Sequence, residues 1–253
     1  MSRPIMLLLT MLLCLAGITP AAAQDSPWQG KTVLITGANR GLGLEFARQL
    51  HAGGAEVIGT ARKPGSADDL KALGVRVEQL DVADPASVAA LAEKLDGVAL
   101  DVLLNNAGIF PSRGSFTEED PAEALRVYDV NTVGPLRVTQ ALLPNLRAGD
   151  RKMVMNMSSG LGSIANNGRG SSAAYRASKS ALNMLTRTMA MDLKDEDFTF
   201  VAMSPGWVRT DMGGENAQLS PEESVRGMLG VLAPLTPADS GRYLSHDGTE
   251  LPW

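Results

Sequence analysis

The 253-residue chain is 44% hydrophobic and 20% charged, a composition that suits one globular domain with a sizeable core. Its formal net charge of −5 provides no general attraction to nucleic acid, so we expect no nucleic-acid partner. Two histidines (His51 and His246) and one cysteine (Cys14) give little support for a zinc site, a Cys–His nucleophile pair or a disulfide framework.

The first 23 residues have the pattern of a secretory leader. Arg3 supplies a positive charge, residues 5–15 an apolar run, and residues 20–23 the small side chains that suit cleavage. The apolar run is too short for a stable membrane span. We therefore predict a signal peptide at 1–23, a domain at 24–253 and a periplasmic or secreted protein; a cytoplasmic protein is the alternative.

After the leader, short apolar runs alternate with helical patterns. Several of the runs lack polar alternation, as strands buried on both faces of a parallel sheet do. Strands are predicted at 31–36, 56–60, 75–80, 100–104, 152–157 and 198–203, and helices at 41–52, 66–73, 84–95, 119–147 and 173–194. This order predicts a single α/β domain, a Rossmann-type doubly wound parallel sheet flanked by helices.

A glycine-rich turn, Thr-Gly-Ala-Asn-Arg-Gly-Leu-Gly at 36–43, follows the first predicted strand. Glycines at this spacing let a chain turn tightly into a helix and let backbone N–H groups approach an anion with no Cβ in the way. A purely structural turn is the alternative. The helical pattern that follows favours a nucleotide pyrophosphate site formed by Gly37, Arg40, Gly41, Leu42 and Gly43.

Polar or turn-forming residues stand where four other predicted strands end. Ligands of doubly wound sheets bind beyond the carboxyl ends of the strands. The residues at these ends are Asp81 and Val82, Asn105 to Gly108, Ser158 and Ser159, and Pro205 and Gly206.

Tyr175 and Lys179 are four residues apart in a predicted helix, and therefore lie on one face, one turn apart. A free phenol has a pKa of about 10, and a neighbouring ammonium lowers that pKa toward neutral pH. The pair is thus suited to proton transfer. A solvated surface pair is the alternative, which the position after the fifth strand disfavours.

The type of cofactor is predicted from charge at the end of the second strand. A carboxylate there would bond the ribose 2′-hydroxyl of NAD, and residues 59–63 contain no acid. Arg62 can bind a phosphate bidentately, and Arg40 lies in the glycine turn. The two arginines favour NADP(H) over NAD(H), with two merely solvated arginines as the alternative.

Together these motifs resemble the short-chain dehydrogenase/reductase family over residues 30–253. The resemblance is carried by the motifs at 36–43, 105–108, 158–159 and 205–210, by Asn131, and by Tyr175-x-x-x-Lys179. The stretches 175–183, 205–214 and 247–253 are similar to the C-factor and Sniffer-type carbonyl reductase branch.

The resemblance implies a role for each matching residue. Tyr175 would exchange a proton with the substrate oxygen, and Lys179 would hold the nicotinamide ribose and lower the pKa of the tyrosine. Ser159 would bind the substrate oxygen, and Asn131 would support a proton relay behind Lys179. The gap between serine and tyrosine is longer than is usual in the family, which leaves Ser158 as a rival to Ser159. The implied cofactor contacts are Asp81 and Val82 at the adenine, Asn105, Ala107 and Gly108 at its ribose, and Val208 and Thr210 at the carboxamide.

The sequence thus predicts an NADP(H)-dependent carbonyl reductase or alcohol dehydrogenase acting on a small apolar substrate. A C-factor-like signalling or cofactor-sensing protein is the alternative. The resemblance also implies a homodimer or homotetramer formed through 119–147 and 173–194. The predicted apolar walls of the substrate site are Ile109, Phe110, Leu161, Ile164 and Met212.

Overall fold

The computed structural model describes residues 26–111 and 113–253. The predicted signal peptide at 1–23, including Cys14, lies outside the described residues. Within the described ranges, none of the helices combines the length and hydrophobicity needed to cross a bilayer. In the same ranges, no group of three or more histidine, cysteine, aspartate or glutamate side chains could hold a metal ion.

A single parallel sheet forms the centre of the molecule. Among the described residues it has seven strands in the order β3-β2-β1-β4-β5-β6-β7. The strand order reverses between β1 and β4, the position at which doubly wound sheets bind their ligands. The strands are β1 (Thr32–Ile35), β2 (Glu56–Ala61), β3 (Arg76–Gln79), β4 (Val102–Asn105), β5 (Met153–Met157), β6 (Thr199–Ser204) and β7 (Arg242–Ser245).

Helices cover both faces of the sheet, which confirms the predicted doubly wound architecture. They are α1 (Gly41–Ala52), α2 (Asp68–Ala72), α3 (Pro85–Lys94), α4 (Pro121–Tyr128), α5 (Gly134–Ala141), α6 (Leu143–Ala148), α7 (Ala173–Asp192) and α8 (Pro221–Leu232). One buried cluster includes Phe46 of α1 and Met228 of α8, and another includes Leu91 of α3 and Leu146 of α6. The central strands β1, β4, β5 and β6 are therefore buried on both faces, which explains their nearly continuous hydrophobic sequences, whereas the edge strand β3 is partly exposed.

The predicted helix at 119–147 is wrong as a single helix. The chain forms α4, a π-helical turn at Asp129–Val133, then α5 and α6. Pro135 and Pro144 lie in the first turns of α5 and α6, and proline lacks the N–H that a continuous helix would need. The sequence prediction also omitted α8 and β7.

Candidate functional site

The local backbone geometry requires glycine at three positions of the turn between β1 and α1. Gly37 and Gly41 have φ angles of +66° and +54°, in a region of backbone conformation that residues other than glycine rarely adopt. A Cβ on Gly43 would lie 2.2 Å from the carbonyl oxygen of Gly37, so a larger residue would push the turn open.

The N-terminus of α1 has no side-chain cap. Arg40 occupies the N-cap position without a capping hydrogen bond, and the first turn contains no acidic residue. In contrast, α3, α4 and α8 are capped by Asp84, Asp120 and Ser220. Uncapped N–H groups at the positive end of a helix dipole suit a phosphate. The turn and Leu42 after it thus form a cradle for an anion.

Thr36 and Asn106 hold the glycine turn against the end of β4. The Oγ1 atom of Thr36 accepts hydrogen bonds from the backbone N–H groups of Asn106 and Ala107, both at 3.0 Å. The Nδ2 atom of Asn106 donates to the carbonyl oxygens of Thr36 and Gly37 at 2.9 and 3.1 Å. The cradle and the segment after β4 are therefore in direct contact where the strand order reverses.

The side chain of Asn105 points away from this edge and into the core. Its Nδ2 atom donates to Thr139 Oγ1 at 3.0 Å and to Asn156 Oδ1 at 2.9 Å. Asn156 in turn donates to Thr186 Oγ1 at 2.9 Å. This buried polar ladder ties β4 and β5 to α5 and α7. Any contact between Asn105 and a ligand at the edge would therefore involve its backbone.

The residues predicted at the adenine end follow β2 and β3. The Arg62 side chain is exposed and forms no ion pair or hydrogen bond with the rest of the described chain. One carboxylate oxygen of Asp81 accepts the N–H of Ala83 at 3.0 Å, and the carbonyl of the buried Val82 accepts a hydrogen bond from Arg137. Arg62 is thus available to an anion, while Asp81 and Val82 are fixed in the turn after β3.

The loop after β6 returns to the glycine turn. The Nη1 atom of Arg40 lies 2.9 Å from the carboxylate of Asp211, and both side chains are exposed. A Cβ on Gly41 would lie 3.7 Å from Cγ2 of Thr210. The loop therefore lies beside the anion cradle. It carries the positions predicted near the nicotinamide, which are Pro205, Gly206, Val208 and Thr210.

Tyr175 lies in the first turn of α7, at the same edge of the sheet. Its side chain is buried, and its hydroxyl lies near the side chain of Ser159, which favours the phenolate. Burial raises the pKa of Tyr175 to about 12, while Ser159 and the nearby Arg113 guanidinium oppose that shift. The shift is opposite in direction to the one expected from Lys179, because loss of water around the phenolate dominates.

Lys179 is buried one turn after Tyr175. Its Nζ atom donates to the carbonyl of Met157 at 2.7 Å and lies 5.7 Å from the centre of the Tyr175 ring. Burial lowers the pKa of Lys179 to about 7, so the amine is only partly charged at neutral pH. The pair occurs as predicted, but its electrostatics are set by desolvation rather than by the mutual attraction expected from the sequence.

Asn131 lies close to this pair, in the π-helical turn Asp129–Val133. Its Oδ1 atom accepts the N–H of Ile109 at 2.8 Å, and its Nδ2 atom donates to the carbonyl of Ile109 at 2.9 Å and to Ser178 Oγ at 3.2 Å. A Cβ on Gly108 would lie 3.3 Å from Asn131 Oδ1 and 3.6 Å from Lys179 Nζ. Asn131, Gly108 and Lys179 therefore form one compact group.

The two serines after β5 have different surroundings. Ser158 is buried, and its hydroxyl donates to Asn183 Oδ1. Ser159 is partly exposed, its Oγ accepts the N–H of Leu161 at 3.2 Å, and its side chain contacts the hydroxyl of Tyr175. Of the two, only Ser159 combines access to solvent with contact to Tyr175.

Phe110, a predicted wall of the substrate site, and Tyr243 make contacts near Tyr175 that the sequence did not predict. The ring of Phe110 stacks on that of Tyr175 with centroids 4.1 Å apart, and the Arg113 guanidinium lies over Phe110. Tyr243 of β7 donates its hydroxyl to the carbonyl of Ser159. No motif marked Tyr243, but the pattern Asp247-Gly-x-x-Leu-Pro-Trp253 pointed to the segment that packs on it.

The fold and the site define a class of protein: a doubly wound α/β protein with an anion cradle at the switch point and a buried tyrosine–lysine pair beside it. A family model described as short chain dehydrogenase matches residues 31–220. The chain belongs to the short-chain dehydrogenase/reductase family.

Three relatives indicate which branch of the family this chain resembles. The C-signal of Myxococcus xanthus is 48% identical over 154 residues, which cover 61% of this chain and 93% of that protein. The carbonyl reductase Sniffer of D. melanogaster is 33% identical, with a TM-score of 0.86. The NADPH-bound carbonyl reductase from chicken fatty liver is 37% identical, with a TM-score of 0.82. Both structural matches cover 89% of this chain and 100% of the other. The C-factor and Sniffer-type branch is thereby supported.

Proposed function

We propose that this protein is an NADP(H)-dependent oxidoreductase of the carbonyl reductase or alcohol dehydrogenase type, with Tyr175 as its acid and base. The observation that carries the proposal is the buried pair of Tyr175 and Lys179, with Ser159 beside the Tyr175 hydroxyl, at the edge where the glycine turn lies. The NADPH-bound relative supports the same cofactor.

The residues present fit NADP(H). The uncapped start of α1 suits the pyrophosphate, and Arg62 and Arg40 offer guanidinium groups to a 2′-phosphate. A Cβ on Gly37 or Gly43 would meet neighbouring protein atoms closely, so these glycines let the turn pack tightly against the segment after β4. The bound nicotinamide would supply or accept the hydride.

The protein's own groups would manage the proton and the substrate oxygen. A pKa of about 12 keeps the Tyr175 phenol protonated at neutral pH, which is the form that donates to a carbonyl oxygen during reduction. Ser159 would hold the same oxygen by a hydrogen bond. Lys179, with Asn131 behind it, would return a proton to Tyr175 and hold the nicotinamide ribose.

An apolar carbonyl compound is the substrate class that the surroundings of Tyr175 support. Phe110 stacks directly on Tyr175, and Ile164 and Met212 are exposed large hydrophobic side chains in the segments after β5 and β6. A panel of aldehydes and ketones of increasing size, followed through the absorbance of NADPH, would identify the preferred substrate.

The proposal also includes the oligomeric state: the protein forms a homodimer or homotetramer.

The direct test is Tyr175→Phe, which removes only the phenolic oxygen. We expect kcat to fall at least about a hundredfold, because the general acid is lost. We expect the Kd for NADPH, measured by fluorescence titration, to stay unchanged. Tyr128→Phe is the matched control, since the Tyr128 hydroxyl forms no hydrogen bond within the described residues. Wild-type turnover in Tyr175→Phe would remove Tyr175 from the mechanism.

The similarity to the C-signal of Myxococcus xanthus supports a second candidate, a signalling or cofactor-sensing protein on the same fold. The two candidates differ in what Tyr175→Phe should do. If the cellular phenotype that depends on this protein persists in the Tyr175→Phe variant while NADPH binding is intact, the sensing function is favoured. Loss of that effect together with turnover would favour the enzyme.

A further inference from the structure

The end of the sequence folds back along β7 toward the substrate side of the site. The N–H of Leu251 donates to the carbonyl of Tyr243 at 2.8 Å, and Glu250 forms an antiparallel bridge with Leu244. The Trp253 ring then stacks on the Tyr243 ring with centroids 5.3 Å apart. This segment, residues 250–253, forms part of the motif 247–253 to which the proposed function gives no role.

The backbone oxygen of Trp253 holds the loop that follows Ser159. It accepts hydrogen bonds from the N–H of Ile164 at 2.6 Å, from the N–H of Ala165 at 3.2 Å and from Ser163 Oγ at 3.3 Å. These three donors lie four to six residues after Ser159. Residues 160–165 include Leu161 and Ile164, which are among the predicted walls of the substrate site.

Tyr243 connects the same segment to Ser159 itself. Its ring is fully buried, and its hydroxyl donates to the Ser159 carbonyl oxygen. That oxygen also accepts the N–H of Gly162 at 2.8 Å, which closes the short turn after the serine. The Ser159 side chain faces Tyr175. A shift of the Ser159 backbone would therefore move the Oγ atom relative to the phenol.

The loop is held from its other side by α7. The carbonyl of Gly162 accepts hydrogen bonds from Ser180 Oγ at 2.8 Å and from Asn183 Nδ2 at 3.3 Å. A Cβ on Gly162 would lie 2.9 Å from Cβ of Lys179. Residues 160–165 are thus held between α7, which carries Tyr175 and Lys179, and the segment that ends at Trp253.

We propose that Tyr243 and Trp253 are positioning residues that set the place of Ser159 and of the substrate-facing loop 160–165. Tyr243 acts through the Ser159 carbonyl, and Trp253 acts through its stack on Tyr243 and its backbone bonds to the loop. The inference rests on the proposed function for its kinetic consequence, because Ser159 is there the residue that holds the substrate oxygen.

Tyr243→Phe tests the first contact, since it removes one hydroxyl and keeps the ring. We expect kcat/KM for the best carbonyl substrate to fall about fivefold, the effect of one neutral hydrogen bond, mostly through kcat. The Kd for NADPH should stay unchanged. Tyr128→Phe again serves as the control and should behave as the wild type.

The double variant with Ser159→Ala separates positioning from general stability. If Tyr243 acts through Ser159, adding Tyr243→Phe to Ser159→Ala should cause no further loss. The same fivefold loss in both backgrounds would overturn the inference. Wild-type activity of Ser159→Ala would instead contradict the role given to Ser159 in the proposed function, and the two failures are therefore distinguishable.

Hydrogen exchange of the amides tests the positioning without any substrate. In Tyr243→Phe we expect the Gly162 amide to exchange at least about fivefold faster, because the turn after Ser159 loses the hydroxyl that anchors it and opens more easily. In Trp253→Ala we expect the amides of Ile164 and Ala165 to exchange faster by a similar factor. We also expect a higher KM for the carbonyl substrate, with little change in kcat. Unchanged exchange at these amides in both variants would overturn the inference, whatever the activity.

Discussion

Burial determines the ionisation of two reactive side chains, Tyr175 and Lys179. Both are almost completely excluded from solvent, and burial raises the pKa of the phenol and lowers that of the amine. Each group is therefore biased toward its neutral form. A neutral phenol is a proton donor, which matches carbonyl reduction in the proposed function.

The lowered pKa of Lys179 has a consequence for stability. Between about pH 7 and the pKa of a free lysine, the unfolded chain holds a proton at Lys179 that the folded chain has lost. Lys179→Met removes this difference. We expect the stability of the wild type relative to Lys179→Met to rise with pH above about 7, by at most about 1.4 kcal/mol per pH unit.

Chemical denaturation of both proteins at several pH values measures this effect. Below about pH 7, where both states of the wild type hold the proton, the difference between the two proteins should become constant. Lys194→Met is the matched control, since Lys194 is an exposed residue just after α7. A stability difference that is independent of pH would contradict the lowered pKa of Lys179.

Arg40 and Arg62 carry the prediction on cofactor preference. Each follows the carboxyl end of one of the neighbouring strands β1 and β2, where a 2′-phosphate would be bound. In Arg40→Ala/Arg62→Ala we expect kcat/KM for NADPH to fall about 10- to 100-fold, the effect of charge-assisted hydrogen bonds. The value for NADH should change little.

Steady-state kinetics with both cofactors measures this preference. Arg226→Ala is the control, because Arg226 is another exposed arginine in an ion pair, with Glu222 of α8. If the double variant prefers NADPH over NADH as strongly as the wild type does, the two arginines do not bind the phosphate.

At the scale of elements, local signals determine which segments can be predicted. The predicted helix at 41–52 coincides with α1, because the glycine turn marks its start. The omitted α8 has a capping box formed by Ser220 and Glu223, with Pro221 as its first helical residue, a signal that was present in the sequence. β7 has four residues with polar ends, and β6 is its only neighbour among the described strands, so no local pattern distinguishes it.

Gly43 carries a prediction at this scale. Gly43→Ala would place a Cβ 2.2 Å from the Gly37 carbonyl oxygen and 2.6 Å from Asn106 Nδ2, so the turn must open. We expect NADPH affinity to fall at least about tenfold, because the N–H groups of the cradle shift. The thermal midpoint should also fall, since overpacking costs about 1–3 kcal/mol.

Gly230→Ala provides the control for this substitution. Gly230 lies inside α8, a Cβ there meets nothing within 4 Å, and alanine favours a helix. Isothermal titration and thermal unfolding of both variants measure the two effects. Equal NADPH affinity for Gly43→Ala and the wild type would show that the turn does not form the phosphate site.

At the scale of the whole molecule, large apolar side chains are exposed on two helices that pack together. Leu125 of α4 is 74% exposed and Met184 of α7 is 67% exposed. Large exposed apolar side chains on neighbouring helices are typical of an interaction surface. These helices lie within the segments that the family resemblance assigns to subunit contacts.

We therefore expect a homodimer or homotetramer in solution, and expect Met184→Glu to shift it to a smaller species, since a buried unpaired charge is unfavourable. Size-exclusion chromatography with light scattering measures the mass. Ala89→Glu, on the exposed side of α3, should leave the mass unchanged. A monomeric wild type would contradict the prediction.

The sequence by itself determined the α/β class, the glycine turn and the position of Tyr175 and Lys179 on one helix face, because these depend on local spacing. It also indicated that polar residues meet at one edge, because parallel strands end together. Only the tertiary structure decided that Asn105 turns its side chain into the core, that Ser159 rather than Ser158 contacts Tyr175, and that burial sets both pKa values. It alone brought Tyr243 and Trp253 to Ser159 and its loop, since residues more than eighty positions apart are joined by sheet order and packing rather than by sequence pattern.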